Sequence, residues 1–231
     1  MNRNVSSFDV LNGGAGGVIS QHRVLRNTYA LLALSMIPTV LGAWLGVATG
    51  ITQMMSPIVS MVVFLAGAFG LMYGITRYRD SGTGVALLLA FTFFMGLMLS
   101  RLLGYVLGFK NGAGLIMTAF GGTAGVFFGM AFLATVVKRD LSGLSRFLAV
   151  GMLIVFVGSL INMFVGSSAG NLVLSMAVLA IFSLYVMVDV KRVIDGGETN
   201  YVMATLSIYL DLYNVFQSLL MLLTSFNGER D

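Results

Sequence analysis

Asp189 and Asp211 each stand inside a long apolar stretch, in the segments Tyr185-Val-Met-Val-Asp189 and Ser207-Ile-Tyr-Leu-Asp211. A carboxylate at the middle of a membrane helix costs roughly 3 kcal/mol, so such a group faces the bundle interior and is a functional-site candidate. Two carboxylates that meet titrate as a coupled pair and share a proton. Their chemistry is proton exchange, or contact with a hard cation, which takes oxygen ligands.

The spacing brings the two acids together. The midpoint between them is Asn200, at the end of the turn-forming segment Gly196-Gly197-Glu198-Thr199-Asn200. An antiparallel helical hairpin folded there puts both acids at similar depth. About eleven residues separate each from the turn, roughly 16 Å if all are helical. That places the pair in the half of the membrane nearer the turn. Ser207, Asp211, Asn214 and Ser218 share one helix face by their spacing and read as a buried seam or an aqueous path. Tyr185 lies one turn before Asp189, and Tyr209 and Tyr213 flank Asp211. Their hydroxyls are within reach of a carboxylate, although aromatics in spans more often pack. Asp189, close to Lys191, also reads as an interfacial acid. Asp211, ten residues into its span, does not.

The elements that carry these residues are membrane spans. The chain has 231 residues, 58% of them hydrophobic and only 10% charged. A soluble domain carries about 25% charged residues. Such a composition suits several spans of about 20 residues and leaves no length for a separate soluble domain. The apolar runs are continuous, so the alternation of a membrane β-barrel is missing. Residues 27–76 contain no charge and hold two spans, turned near residues 50–57. The third span covers residues 84–108 and the fourth 115–137. The fifth and sixth lie within residues 147–188, split at 166–170. The seventh covers residues 201–226. The fold class is therefore all-α and polytopic, with seven transmembrane helices. Residues 1–27 are polar and Gly-rich and read as a flexible cytoplasmic tail, and residues 28–231 as the membrane domain.

Arg3, Arg23, Arg26, Arg77, Arg79, Lys138, Arg139, Arg146, Lys191 and Arg192 fall on one side of this scheme. By the positive-inside rule that side is cytoplasmic, and so is the N-terminus. A re-entrant last segment would move the C-terminus to the same side. Arg77 reads either as an ordinary edge residue or as a cation that latches the aspartate pair, and Arg79 as an edge residue. Arg101 lies well inside the third span and must snorkel or find a polar partner. Gly42, Gly46 and Gly50, and Gly121, Gly125 and Gly129, have the spacing of close helix packing. Pro38 removes a backbone hydrogen bond from the first span and is a candidate kink.

Several function classes drop out. Cysteine is absent, so disulfide and thiol chemistry are excluded. The net charge of +4 resides mostly in loops between spans, and no basic stripe with interleaved aromatics points to nucleic acid. The lone His22 sits at a membrane edge and reads as an interfacial residue. Paired aspartates on adjacent spans are what an intramembrane aspartyl protease requires. The Gly-x-Gly-Asp signature of those enzymes is missing around Asp211, so no enzyme and no resident cofactor is expected.

The segment from Tyr185 to Asp189, the Gly-Gly-Glu-Thr-Asn-Tyr turn at 196–201, and Leu206-Ser-Ile-Tyr-Leu-Asp211-Leu-Tyr-Asn214-Val-Phe216 resemble the C-terminal signature of the Bax inhibitor-1 (TMBIM) membrane proteins. The segment His22-Arg23-Val-Leu-Arg26-Asn27-Thr-Tyr29 and the same turn resemble the bacterial YccA-like branch of that family. The resemblance covers essentially the whole chain. It implies six helices wrapped around a central seventh, in the bacterial inner membrane. It also implies a pH-dependent calcium leak in which Asp189 and Asp211 act as sensor and contact the ion. Arg77 is the matching latch in that reading, and Ser207, Asn214 and Tyr185 support the site. Members of the YccA-like branch are linked instead to the membrane AAA protease FtsH, as modulators and slow substrates. Arg101-Leu102 departs from the family's pattern, which often has Pro there; a cation beside a conduction path would discourage calcium. The bilayer, calcium or another cation, and FtsH are the partners so implied.

Overall fold

The computed structural model describes residues 7–227, with side chains described from residue 21. The described residues form eight helices: α1 (Ser7–Thr49), α2 (Ile51–Met54), α3 (Pro57–Tyr78), α4 (Gly82–Leu107), α5 (Gly112–Val136), α6 (Ser142–Val165), α7 (Ser168–Ile194) and α8 (Tyr201–Asn227). Seven are long and apolar enough to cross a membrane, with α1 contributing Gln21–Thr49. The eighth, α2, is a single turn between the first two spans. Within the residues read from the sequence as a tail, α1 begins at Ser7 and continues into the first span. Residues 1–6 lie outside the described residues. Pro38 is accommodated inside α1 without ending it.

The last helix is the centre of the bundle. Half of the membrane window of α8 is buried, against 11% for α3, α5 and α6. It packs against α1, α3, α4, α5 and α7, while α6 packs chiefly on α7. Ile208, Val215 and Leu220 of α8 are fully buried; Ile208 shares a core with Phe91, Ile75 and Leu88, and Leu220 a second one with Val106, Leu115 and Ala119. Large side chains such as Trp44, Phe69, Phe128 and Phe164 are exposed on the outer surface of the bundle. In water that would be a liability, and in a bilayer it is the expected lipid-facing surface.

The most extensive helix pair, α1 with α4, is built on glycine. A Cβ on Gly96 would lie 2.8 Å from the carbonyl carbon of Thr39, and one on Gly42 would lie 2.9 Å from the Leu97 amide nitrogen. The two backbones touch, which only residues without a side chain permit. Gly46 continues the seam against Ser100. Gly50 has another role, ending α1 with a φ of 65°. The second glycine series does not pack: nothing lies within 4 Å of a Cβ built at Gly121, Gly125 or Gly129. Their spacing put them on one face, but that face is open.

Capping residues set the turns. Ser56 accepts from the Val59 amide at 3.3 Å, with Pro57 opening α3, where a missing N–H costs nothing. Ser167 caps α7 through the Gly170 amide at 3.1 Å. Arg101 donates to the Ser60 hydroxyl at 3.0 Å, so this span cation ties α4 to α3.

Asn200 joins two turns at once. Its side-chain oxygen accepts from the Val202 and Met203 amides, both at 3.0 Å, and caps α8. Its side-chain nitrogen donates to Asp80 at 2.7 Å and to the Arg79 carbonyl at 3.2 Å, in the turn between α3 and α4. At the other end of α8, Asn111, in the turn between α4 and α5, donates to the Asn227 carbonyl at 2.6 Å. Both ends of α8 therefore meet the two ends of α4. The last helix runs parallel to α4 and crosses the same thickness, which excludes a re-entrant segment. Asn200→Ala is expected to lower stability by about 1 kcal/mol, the usual cost of losing such a cap. A thermal melt of the purified variant in detergent measures this; an unchanged melt would show that the cap contributes nothing.

Candidate functional site

The site lies where α7 and α8 run antiparallel from the Gly196–Gly197 turn. Asp189, in the last part of α7, lies near Ser207 of α8, close enough for the hydroxyl to act on its carboxylate. The antiparallel pairing of the two helices also brings Asp189 into electrostatic range of Asp211. Asp211 is 5% exposed, and its Oδ2 is buried with no hydrogen-bond partner. A buried polar atom without a partner forfeits its hydration, a loss of about 1–3 kcal/mol and more when charged. It persists here on the most buried helix of the molecule.

The cation at the site is Arg192. Its Nη1 is 3.6 Å from Asp189 Oδ1, one helical turn along α7, and its charge reaches Asp211 as well. The latch expected from Arg77 is not formed: Arg77 is exposed and makes no ion pair among the described residues. Arg79 pairs at 3.7 Å with its neighbour Asp80, also at the surface. Sequence reasoning treated Arg192 as a residue that merely closes the sixth span. Its spacing of three from Asp189 was the available signal. Lys191 turns the other way and binds Asp195 at 2.7 Å.

The aromatic neighbours divide. Tyr185 lies within electrostatic range of both aspartates and stacks, tilted, with Phe182 at 5.9 Å. Tyr209 and Tyr213 point away from the carboxylates. The Tyr209 hydroxyl bonds Thr39 at 2.9 Å and the Thr92 carbonyl at 3.4 Å, and Tyr213 donates to the Met95 carbonyl at 3.3 Å. Tyr209 thus anchors α8 to α1 and α4, and Tyr213 anchors it to α4.

Two clefts of similar size flank α8 and differ in chemistry. One, of about 580 Å³, opens between α1 and α5 and is lined by apolar groups such as Met36, Leu103, Phe120 and Phe127. The other, of about 530 Å³, lies between α4, α6, α7 and α8. It is lined by Ser159, Asn171, Ser175, Asn214, Gln217 and Ser218 beside the apolar Leu102, Met163, Leu174, Val178 and Met221. Asn214 donates to the Leu210 carbonyl at 2.8 Å, which leaves its side-chain oxygen as an acceptor. Asn214 and Ser218 occupy the same face of α8 as Asp211 and Ser207. The polar cleft thus leads along that face toward Asp211. Sequence analysis found the α8 stripe and missed its opposite wall, whose residues are scattered over α6 and α7.

Among the described residues no three of His, Cys, Asp and Glu stand close enough to hold a metal ion. Calcium takes six to eight oxygens, more than the two carboxylates supply.

Comparison with known proteins agrees with this architecture. Residues 21–228 match the family model described as inhibitor of apoptosis-promoting Bax1. An uncharacterized protein of Neisseria meningitidis serogroup A is 39% identical over 214 residues, which cover 91% of this chain and 94% of the relative. An uncharacterized membrane protein of Vibrio cholerae is 36% identical over 210 residues, covering 91% and 92%. The Escherichia coli K12 protein named modulator of FtsH protease YccA is 36% identical over 206 residues, covering 89% and 91%. With seven membrane-length helices around a central α8 and a family match spanning nearly its full length, the chain belongs to the Bax inhibitor-1 family of multi-pass membrane proteins.

Proposed function

We propose that the protein is a pH-sensitive leak for calcium or a similar cation in the bacterial inner membrane, with Asp189 and Asp211 as its proton-responsive centre. The observation that carries this reading is Asp211 itself. It is a carboxyl group on the central helix, 5% exposed, with an unpartnered oxygen, and it lies on the face that the polar cleft follows. Proton exchange at a coupled pair changes the charge beside Arg192 and Ser207, and with it the grip between α7 and α8. The ionised pair offers oxygen ligands to a hard cation, and the protonated pair does not. The test is calcium entry into proteoliposomes holding the purified chain, across roughly pH 5 to 8. A flux that changes with pH supports the leak. A flux equal to that of empty liposomes at every pH contradicts it.

A second reading, modulation of the FtsH protease, is favoured by the Escherichia coli relative that carries that name. The two roles are compatible. In this reading the N-terminal residues 1–17 are the grip that the protease needs, and their removal changes turnover of the chain by FtsH while leaving ion flux alone. Unchanged turnover of the shortened chain would count against it.

A further inference from the structure

We infer that the polar cleft between α4, α6, α7 and α8 is a water-filled vestibule that admits small hydrated cations from the face opposite the Arg-rich one. Its position fixes the side. Asn171 and Ser175 lie in the first two turns of α7, next to the α6–α7 turn at Gly166 and Ser167. On α8, Met221, Ser218 and Asn214 lie about 9, 13 and 20 Å from the end at Asn227, at 1.5 Å per residue. That end is the one held by Asn111, away from the turn at Asp80. The vestibule therefore occupies the half of the membrane opposite the Arg-rich turns and stops one turn short of Asp211.

Its chemistry fixes the contents. Ser159 already donates to the Val155 carbonyl and Asn171 accepts from Asn162, but hydrocarbon offers no partner to the side-chain oxygens of Asn214 and Gln217 or to the Ser175 and Ser218 hydroxyls, and water in the cleft supplies one. A volume of about 530 Å³ has room for several waters, each of which takes about 30 Å³ in the liquid. The apolar cleft on the other side of α8 makes no such demand and suits lipid chains. The vestibule lining carries no ionisable side chain, so its neutral oxygens can take part in a cation's hydration shell without trapping the ion. The carboxyl groups beyond its inner end favour cations over anions. The inference rests on the leak reading only in naming a cation; hydration and sidedness stand apart from it.

The absence of cysteine makes the test direct. Single variants Ser218→Cys and Ser175→Cys are treated with membrane-impermeant methanethiosulfonates, one cationic and one anionic, in right-side-out and inverted vesicles. Lys110→Cys marks the face of the α4–α5 turn and Ser81→Cys the opposite face. Val173→Cys, 60% exposed on the outside of α7, reports hydrocarbon at the same depth. Ser218→Cys and Ser175→Cys are expected to react in the vesicles in which Lys110→Cys reacts, with a cationic-to-anionic rate ratio at least ten times that of a free thiol such as 2-mercaptoethanol, while Val173→Cys stays unmodified. Size-exclusion profiles and labelling after denaturation confirm that each variant is folded and its thiol intact. Labelling from the face of Ser81→Cys, or no labelling of folded protein from either face, overturns the vestibule. A rate ratio no higher than that of the free thiol overturns its cation preference. Labelling as expected in a chain that carries no calcium flux keeps the vestibule and removes the leak.

Discussion

Gly96→Leu is expected to leave little folded protein. Gly96 faces the backbone of α1 so closely that even a methyl group would sit 2.8 Å from the Thr39 carbonyl carbon and 2.9 Å from its Cα. The obstacle is main chain on both sides, so no rotamer change relieves it. Overpacking in a core costs about 1–3 kcal/mol when side chains can adjust. Here α1 and α4 must separate along the most extensive helix pair in the molecule. Separation also pulls Thr39 away from the Tyr209 hydroxyl, which loosens α8. The loss therefore exceeds the roughly 3 kcal/mol of adjustable overpacking and reaches about 5 kcal/mol, the whole of a stability at the low end of the typical range. Gly125→Leu supplies the contrast, because no atom lies within 4 Å of a Cβ there. Its effect is expected to stay within about 0.5 kcal/mol. Thermal unfolding and monodispersity in detergent distinguish the two. A Gly96→Leu variant as stable as the parent would show that α1 and α4 do not touch through their backbones.

Asp211→Asn is expected to do the reverse, keeping the fold and losing the response to pH. Asparagine has nearly the same shape and retains an acceptor oxygen, so the packing around position 211 is preserved. The substitution removes an ionisable oxygen that has no hydrogen-bond partner, so no existing bond to that oxygen is broken. What disappears is proton exchange on the central helix, and with it the coupling to Asp189. Arg192→Gln should also move the midpoint of the pH response, because Arg192 is the cation 3.6 Å from Asp189. Arg77→Gln should leave that midpoint in place, since Arg77 is exposed and makes no ion pair among the described residues. If Arg77→Gln moves the midpoint as far as Arg192→Gln does, the pairing with Arg192 does not govern the transition.

The spans were legible because long uncharged runs leave few alternatives for a chain this apolar. The α7–α8 hairpin was legible because Asn200 lies midway between the two acids. Long-range partners were not. Arg192, three residues from Asp189, was within reach by spacing, but only the fold shows that Arg77 stays at the surface and leaves Arg192 as the cation at the pair. Gly121, Gly125 and Gly129 have the same spacing as a packing motif, yet spacing says which residues share a face and nothing about what stands opposite. The helix over residues 7–20 was hidden by a polar, Gly-rich composition that argues for loose chain. Ser159, Asn171 and Ser175 are isolated polar residues in apolar sequence. They become a wall only when α6 and α7 are set against the polar stripe of α8.

The central claim is that the carboxyl group of Asp211 makes cation passage depend on pH. It is tested most directly by calcium flux into proteoliposomes across roughly pH 5 to 8, with the parent chain beside Asp211→Asn at matched incorporation. The account predicts a flux that changes with pH in the parent and is lost or constant in the variant. The same pH-dependent flux in both proteins would contradict it.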